Sequence, residues 1–510
     1  MASRLQSVTL AAPGFFGLNT QESGITISSG FALEATNCII DKFGRIGSRK
    51  GWETYSNTSA SVTGAVRAIA EFTKTDGSLE ILFAANNKLW KLDGNSDPVE
   101  LTADDSTAIT ITDDDWQIAT YNNHAVFVQA GHNPVYYDAS ADTYKEYTGA
   151  PFTQPTAVAA CFNRVWAVEG ETVYWSKILE PQSFTGTGSG QINMREIFGE
   201  DDDVVAVANY NNRLVIFGRR NIAFFAGGDD PTGTSFQMTD HIKGIGCIAR
   251  DSVQNVGTDI VFLSAEGVRT IGRTIQEQSS PIGDVSKNIR DELVQYSFGE
   301  SEYRIKSIYS PKDAFYLLTL PATGFTYCFD MRALLQDQSR RVTKWLDINP
   351  SAYLVLKNND LLLGQIGYIG KYNGYSDNGS AYRLKYYTNY FDFGNATVES
   401  ILKKIRIAIL GATNQSASLK WAFDYNIDYS SEAFQLSEGI TSEYNVDEYF
   451  SDDGIDNEAE YSSGVVLDNI SLNLGGRGAV LQIGLEADVS GGALSIQKLD
   501  IFAKNGKLVS

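Results

Sequence analysis

Histidine is almost missing from this chain: 510 residues hold three, His124, His132 and His241. They form no H-E-x-x-H pair and no other ligand spacing, so a zinc hydrolase and a histidine-based triad are both poorly supported. Cysteine is nearly as scarce. Cys38, Cys161, Cys247 and Cys328 lie far apart, include no C-x-x-C pair and sit in apolar, strand-like contexts. That pattern predicts buried free thiols and assembly in a reducing cytoplasm, and argues against a disulfide framework or a zinc ribbon. No apolar run approaches the ~20 residues of a membrane-spanning helix. The apolar stretch 8–17 is short and broken by Pro13, Gly14 and Gly17, which argues against a signal peptide. Basic residues are in deficit, 41 against 62 acidic, for a formal net charge of −21. Such a surface does not hold DNA non-specifically, because phosphates must be met by Lys and Arg. It serves solubility, or it lines a passage that repels a duplex and lets it slide.

What is abundant points to β-structure. Tyr and Phe number 26 each and Gly 46, with only 11 Pro. Aromatic strands punctuated by glycine turns give that balance, and long helices do not. Hydrophobic residues make up 43%, enough for a large core. A chain of this length predicts more than one ordinary domain.

One unit recurs along the middle of the chain: an apolar strand, a polar turn, a second apolar strand, a short turn, then a strand ending in aromatics. Examples are SLEILFAANNKLWKLD, FNRVWAVEGETVYWS and NNRLVIFGRRNIAFFAG. The turns align at Ser78, Asn123, Asn163, Asn212, Thr258, Lys312 and Asn359, spaced 40–54 residues apart. Four-stranded propeller blades repeat at about 40–50 residues. Asn and Gly at the turns supply the positive φ that tight hairpins need. The fold class is therefore read as mainly β, a β-propeller of about seven blade-like units over residues 61–378. A stack of unrelated hairpins in a sandwich is the alternative. One short helix is predicted over Ser286–Val294, with Ser286 as N-cap and Ile289 and Leu293 on one face, and a further helical turn over Met331–Gln336.

The flanks lack the blade period. Residues 1–60 form an N-terminal arm with a strand–turn–strand around FGRIGSRKGW. Residues 379–510 carry long alternating strands in a β-sandwich-like pattern, and the two flanks are read as one β-rich platform. Between Asp428 and Glu460 stand 11 acidic residues and no Lys or Arg, the composition of a solvated loop.

No catalytic, cofactor or metal residues emerge. The glycine-rich segment 186–190 (GTGSG) lacks the helix and the Lys-Ser/Thr of a phosphate loop. Some propellers are glycosidases, but the Asp-box repeat S-x-D-x-G-x-T/S-W has no full copy. The function classes left open are a structural component, a glycan depolymerase or sialidase-like enzyme, and a propeller platform for another protein.

The N-terminal segment APGFFGLNTQES…GFALEATNCIIDKFGRIGSRKGW carries a G-L-N opening, an A-x-x-x-x-N-x-x-x-D-like stretch and an Arg/Gly-rich turn. In these features, over residues 12–52, the chain resembles the tail nozzle (tail tubular B, or tail hub) proteins of short-tailed double-stranded DNA bacteriophages. A propeller-like middle and β-rich C-terminal region follow the same layout. The resemblance implies a homohexameric ring beneath a dodecameric tail adaptor, with tail fibres or spikes attached nearby. The lumen of that ring would conduct genomic DNA without reading its sequence. On that expectation, Arg45, Arg49 and Lys50 are candidate contacts to an acidic adaptor surface. Phe184 and Asp229, with Asp452 and Asp453 in the acidic stretch, mark candidate loops for the distal tip or gate.

Overall fold

A computed structural model describes residues 5–57, 62–92, 97–104, 111–112, 116–257, 259–277, 285–332, 334–394, 397–411, 415–436, 445–447, 459–461 and 467–508. Nearly all of its regular structure is strand. The aligned hairpins fold as the sequence predicts. Asn122–Asn123, Phe162–Asn163 and Asn211–Asn212 each hold two consecutive positive φ values, and Asn86–Asn87 does the same one hairpin later in the first blade. Two such residues in a row match the right-handed twist of the strands they join.

Six sheets stand alone as propeller blades. The first four start with Ala68–Thr73, Gln117–Tyr121, Ala157–Cys161 and Val204–Tyr210. The fifth has three strands, Gln254–Val256, Asp259–Ser264 and Gly267–Thr270, with the helix Ile271–Glu277 against it. The sixth combines Ala352–Val355, Leu361–Gly364 and Tyr368–Tyr372 with Trp52–Asn57, which pairs antiparallel to Tyr368–Tyr372. Residues 52–57, read from sequence as part of the N-terminal arm, thus complete the last blade. Apolar residues at alternate positions bury the facing surfaces of neighbouring blades. Trp166, Val168 and Trp175 of the third meet Leu214, Ile216 and Phe225 of the fourth.

The expected count of about seven is corrected to six. The unit whose turn lies at Lys312 has the local strand order of a blade: Lys306–Ser310, Phe315–Leu320, Phe325–Asp330 and Arg341–Leu346. Its first strand touches those of the fifth and sixth blades. Its fourth strand, however, continues through Gly17–Leu18 and Phe31–Thr36 into Tyr382–Thr388, Leu481–Val489, Ser416–Phe423 and Ser430–Gln435. The result is one ten-stranded sheet. The strands Gly17–Leu18 and Arg341–Leu346 come so close that a Cβ on Gly17 would lie 2.4 Å from the Val342 carbonyl oxygen, and Gly17 has a φ of +85°. A glycine is required at such an approach.

A seven-stranded sheet faces this one. Its centre is the antiparallel pair Val398–Gly411 and Leu494–Leu508, flanked by Leu5–Ala11, Cys38–Ile40, Ile46–Ser48, Leu467–Asn473 and Arg477–Gly478. N- and C-terminal segments therefore share both sheets. Leu402, Ile405, Ile407 and Ile409 enter the common core with Leu419, Leu481, Ile483 and Ile501. The three-residue step from Leu402 to Ile405 breaks the period of two, and a register shift between Leu402 and Lys404 keeps both side chains on the buried face.

The predicted helix is present, shifted: a 3-10 turn over Lys287–Ile289 leads into an α-helix over Arg290–Ser297. Ile289 and Leu293 are buried as expected. Ser286 makes no side-chain cap; its hydroxyl accepts from the Val268 amide instead. The helical turn expected over Met331–Gln336 is not formed among the described residues, where 331, 332 and 334–336 are irregular or turn.

Candidate functional site

Where the first strands of the blades converge, large side chains would collide, and small ones prevail. Ala157, Ala159 and Ala160 of the third blade line, with Ala206 and Ala208 of the fourth, a cavity of about 210 Å³ to which Arg250 and Asn255 also contribute. A second axial cavity of about 140 Å³ is lined by Gln117, Asp251, Gln254 and Lys306.

One carboxylate organises this region. Asp251 accepts from Arg250 Nη2 at 2.9 Å, from Lys306 Nζ at 2.5 Å and from Gln117 Nε2 at 3.1 Å. Arg250 also donates to the carbonyls of Trp116 at 3.1 Å and Thr156 at 2.5 Å. The network spans the second, third and fifth blades and the fused unit. Burial alone would raise the Asp251 pKa; Arg250 and Lys306 outweigh it and hold the carboxyl below its ordinary range. A carboxylate so engaged staples the blades together. Beside this network, the Tyr303 ring lies 5.4 Å from the Arg250 guanidinium, and Glu302 pairs with Arg219.

The residues singled out from sequence fall in different places. Arg45 pairs with Asp41 at 2.6 Å on the hairpin joining Cys38–Ile40 to Ile46–Ser48, partly exposed, and its guanidinium lies 4.5 Å from the Phe43 ring. Lys50 is partly exposed and lies 3.1 Å from Asp313. Arg49 is different. It is 0% exposed, paired with Asp377 and stacked 3.9 Å from the Tyr382 ring. Its guanidinium is engaged inside the chain, whereas the side chains of Arg45 and Lys50 are partly exposed.

Phe184 is likewise buried, 4.7 Å from Phe152 and 5.7 Å from Tyr147 between rings. It anchors its loop among those rings and does not project to solvent. Asp229 is exposed beside the Asp230 turn, where Asp230 accepts from the amides of Thr232 at 2.9 Å and Ser235 at 2.7 Å. Those bonds hold the Asp230 carboxyl well below the usual range. Asp452 and Asp453 lie outside the described residues.

Sequence reasoning missed Arg164. Only 1% exposed, it donates to the carbonyls of Gly228 at 3.1 Å and Ser176 at 2.9 Å, and to those of Gly188 and Asp230. It therefore binds together two of the three loops, 184–190 and 229–236, that loop character alone had marked for the tip. The signal was present: an arginine opening the strand RVWAVE, whose next four residues are apolar. The four cysteines are free, three buried and Cys161 partly so. Burial pushes the Cys161 thiol up to about 12 and that of Cys247 to about 11. Among the described residues no group of three or more His, Cys, Asp or Glu could hold a metal ion, and no helix is long and apolar enough to cross a membrane.

Residues 53–353 match the family described as bacteriophage P22 Gp10, beta-propeller. This chain is a member of the P22 Gp10 propeller family. It is thereby a bacteriophage tail structural protein. The matched span of this Gp10-family chain starts within the strand that closes the sixth blade and ends in that blade's first strand. No curated protein sequence matches the chain. Solved structures similar to it include three with low scores. The computationally designed Ika8 protein is 13% identical, over 63% of this chain and 99% of its own, with a TM-score of 0.36. A streptogramin B lyase is 12% identical, over 63% and 97%, at 0.38, and U3-55K is 10% identical, over 60% and 95%, at 0.38. Scores of this size carry no functional argument.

Proposed function

We propose that this Gp10-family chain is the tail nozzle subunit: copies of it close into a hexameric ring below the adaptor, and the lumen of the ring conducts and gates the genome. The observation that carries the reading is the family match over the propeller, joined to the nozzle-like N-terminal segment. Axial cavities of 140–210 Å³ cannot admit a duplex whose major groove alone is about 12 Å wide. DNA would therefore travel between copies, along a wall made by several propellers. A chain of net charge −21 offers phosphates few counter-charges, so a duplex passes such a wall without adhering.

The two shared sheets serve as the platform toward the adaptor. Arg45 and Lys50, together with exposed Lys42 on the same hairpin, are the basic groups offered to it. The loops held by Arg164, with Asp229 exposed on one of them, serve as the distal tip. Tail fibres or spikes dock on the outer blades, and the free thiols suit assembly in the host cytoplasm.

Imaging intact particles by electron microscopy tests this. The expected result is a six-fold ring of about 335 kDa around a central passage, seated directly below the adaptor. A particle in which this chain occupies only peripheral fibres, or a monomer that releases reducing sugars from host capsule, would sink the proposal. Charge reversal at Arg45 is expected to weaken assembly of the ring on the adaptor while leaving the subunit folded.

A further inference from the structure

The seven-stranded sheet turns one face into the common core and the other outward. Ile405, Ile407, Ile501 and Ala503 are buried, so Lys404, Arg406, Phe502 and Lys504, which alternate with them, stand on the outer face. Register sets Lys404 opposite Phe502 and Arg406 opposite Asp500. Lys403 is exposed at the register shift between Leu402 and Lys404.

This face is basic in an acidic chain. Residues 403–408 and 498–504 hold five cations, Lys403, Lys404, Arg406, Lys498 and Lys504, against one carboxylate, Asp500. Leu5–Ala11 on one side and residues 469–473 on the other add no charge. Asp500 is already engaged: Lys498 Nζ lies 2.8 Å away and Thr9 Oγ1 donates to it at 2.6 Å. Lys403, Lys404, Arg406 and Lys504 form no ion pair among the described residues. On the ten-stranded sheet, by contrast, Arg383 and Lys420 both bind Glu486. The Arg406 guanidinium lies 5.4 Å from the half-buried Phe502 ring, with Ser471 and Ser7 beside them in the register. An arginine and an aromatic ring framed by small polar side chains have the make-up of a protein–protein contact centre.

We propose that this face docks on an acidic surface of a second copy of the chain. Each copy carries a formal charge of −21, so copies repel one another unless opposite charges meet locally. A closing ring joins two different surfaces of each subunit, one to the other on its neighbour. The basic sheet face supplies the first, and the acidic remainder of the chain supplies the second. A nucleic acid is the other polyanion this face would fit. A face that held phosphates would stall a duplex in the passage, so the ring is built with it covered and away from the lumen. The inference rests on the ring reading for its second copy.

Sedimentation velocity of the full-length chain at low and high salt tests it. The parent should self-associate, and less so as salt rises. Lys404→Glu with Arg406→Glu should weaken association about tenfold or more, and Lys404→Gln with Arg406→Gln by less. Both double variants should melt with the parent, because neither side chain is buried. Lys243→Glu, at an exposed lysine of the fourth blade, should leave association unchanged. A parent that stays monomeric at low salt, or a charge-reversed variant that associates like the parent, overturns the inference. So does a monomeric parent that retains a labelled DNA duplex through Lys404 and Arg406, which assigns the face to nucleic acid. Particle imaging separates the two readings. A six-fold ring whose contacts omit this face leaves the nozzle reading standing alone, and copies joined through this face in any other assembly leave the inference standing alone.

Discussion

Arg49 and Asp377 are 328 positions apart in sequence and meet in a two-pronged ion pair, Nη1 to Oδ1 at 2.8 Å and Nη2 to Oδ2 at 2.7 Å. The same guanidinium donates to Asn37 Oδ1 at 3.1 Å and the Leu346 carbonyl at 3.2 Å. Strands of the body, the fused unit and the segment after the sixth blade are thus tied at one buried point. Removing one partner of such a pair strands the other charge, at a cost of about 3–5 kcal/mol. Arg49→Ala should lower the denaturant midpoint accordingly. Arg49→Lys should recover only part of the loss, because an ammonium cannot make the parallel bonds. Arg45→Ala, four residues away and partly exposed, should cost under about 1 kcal/mol. Equal losses at the two arginines would contradict the burial difference.

Arg164 makes a prediction about loops. Its donors satisfy backbone carbonyls of Ser176, Gly188, Gly228 and Asp230 at once. Arg164→Met keeps the apolar stem and leaves those carbonyls unmet, at a cost of about 2–4 kcal/mol. Hydrogen exchange should accelerate first in residues 186–190 and 228–236 while the first blade stays protected. Uniform acceleration across the propeller would show that Arg164 acts on the whole blade stack instead.

Glu486 sets an acid limit on the two-sheet body. Burial raises its pKa, but hydrogen bonds from Tyr387 and Arg383, both 2.5 Å, and from Lys420 at 3.1 Å outweigh it and bring it down to about 2 from an ordinary 4.5. A carboxyl depressed on folding stabilises fully above its unfolded pKa and loses that contribution as pH falls through the folded one. The window is therefore pH 4.5 down to about 2, and the contribution at most about 3 kcal/mol. Glu486→Gln should destabilise at pH 7 and flatten the acid limb, so that the two stability curves converge near pH 2–3. Parallel curves across that window would sink the assignment.

How much of this was legible in the sequence depends on distance along the chain. The hairpins were legible because turn chemistry is local: the residues that need positive φ at the first-blade, Asn123, Asn163 and Asn212 turns are the Asn-containing pairs. The free thiols were legible because their neighbours in sequence are apolar. The fused unit was not. Its own strands repeat the blade pattern, and what removes it from the set of free-standing blades is Gly17–Leu18 arriving beside Arg341–Leu346. Arg45 and Arg49 stand in one turn segment and read alike; only Asp377 separates them. Arg164 likewise read as one strand residue among others, since its carbonyl partners come from loops up to 66 residues away.

The sequence by itself determined the β class, the blade period, the tight turns, the acidic balance and the nozzle-like N-terminal segment, all consequences of residues near one another or of composition. Tertiary structure alone decided that six blades stand free, that residues 52–57 close the last of them, that Arg49 and Phe184 are interior, and that Arg164 reaches the carbonyls of two distant loops. The physical reason is common to all four: burial and pairing depend on which distant strand arrives alongside, and no local pattern encodes that.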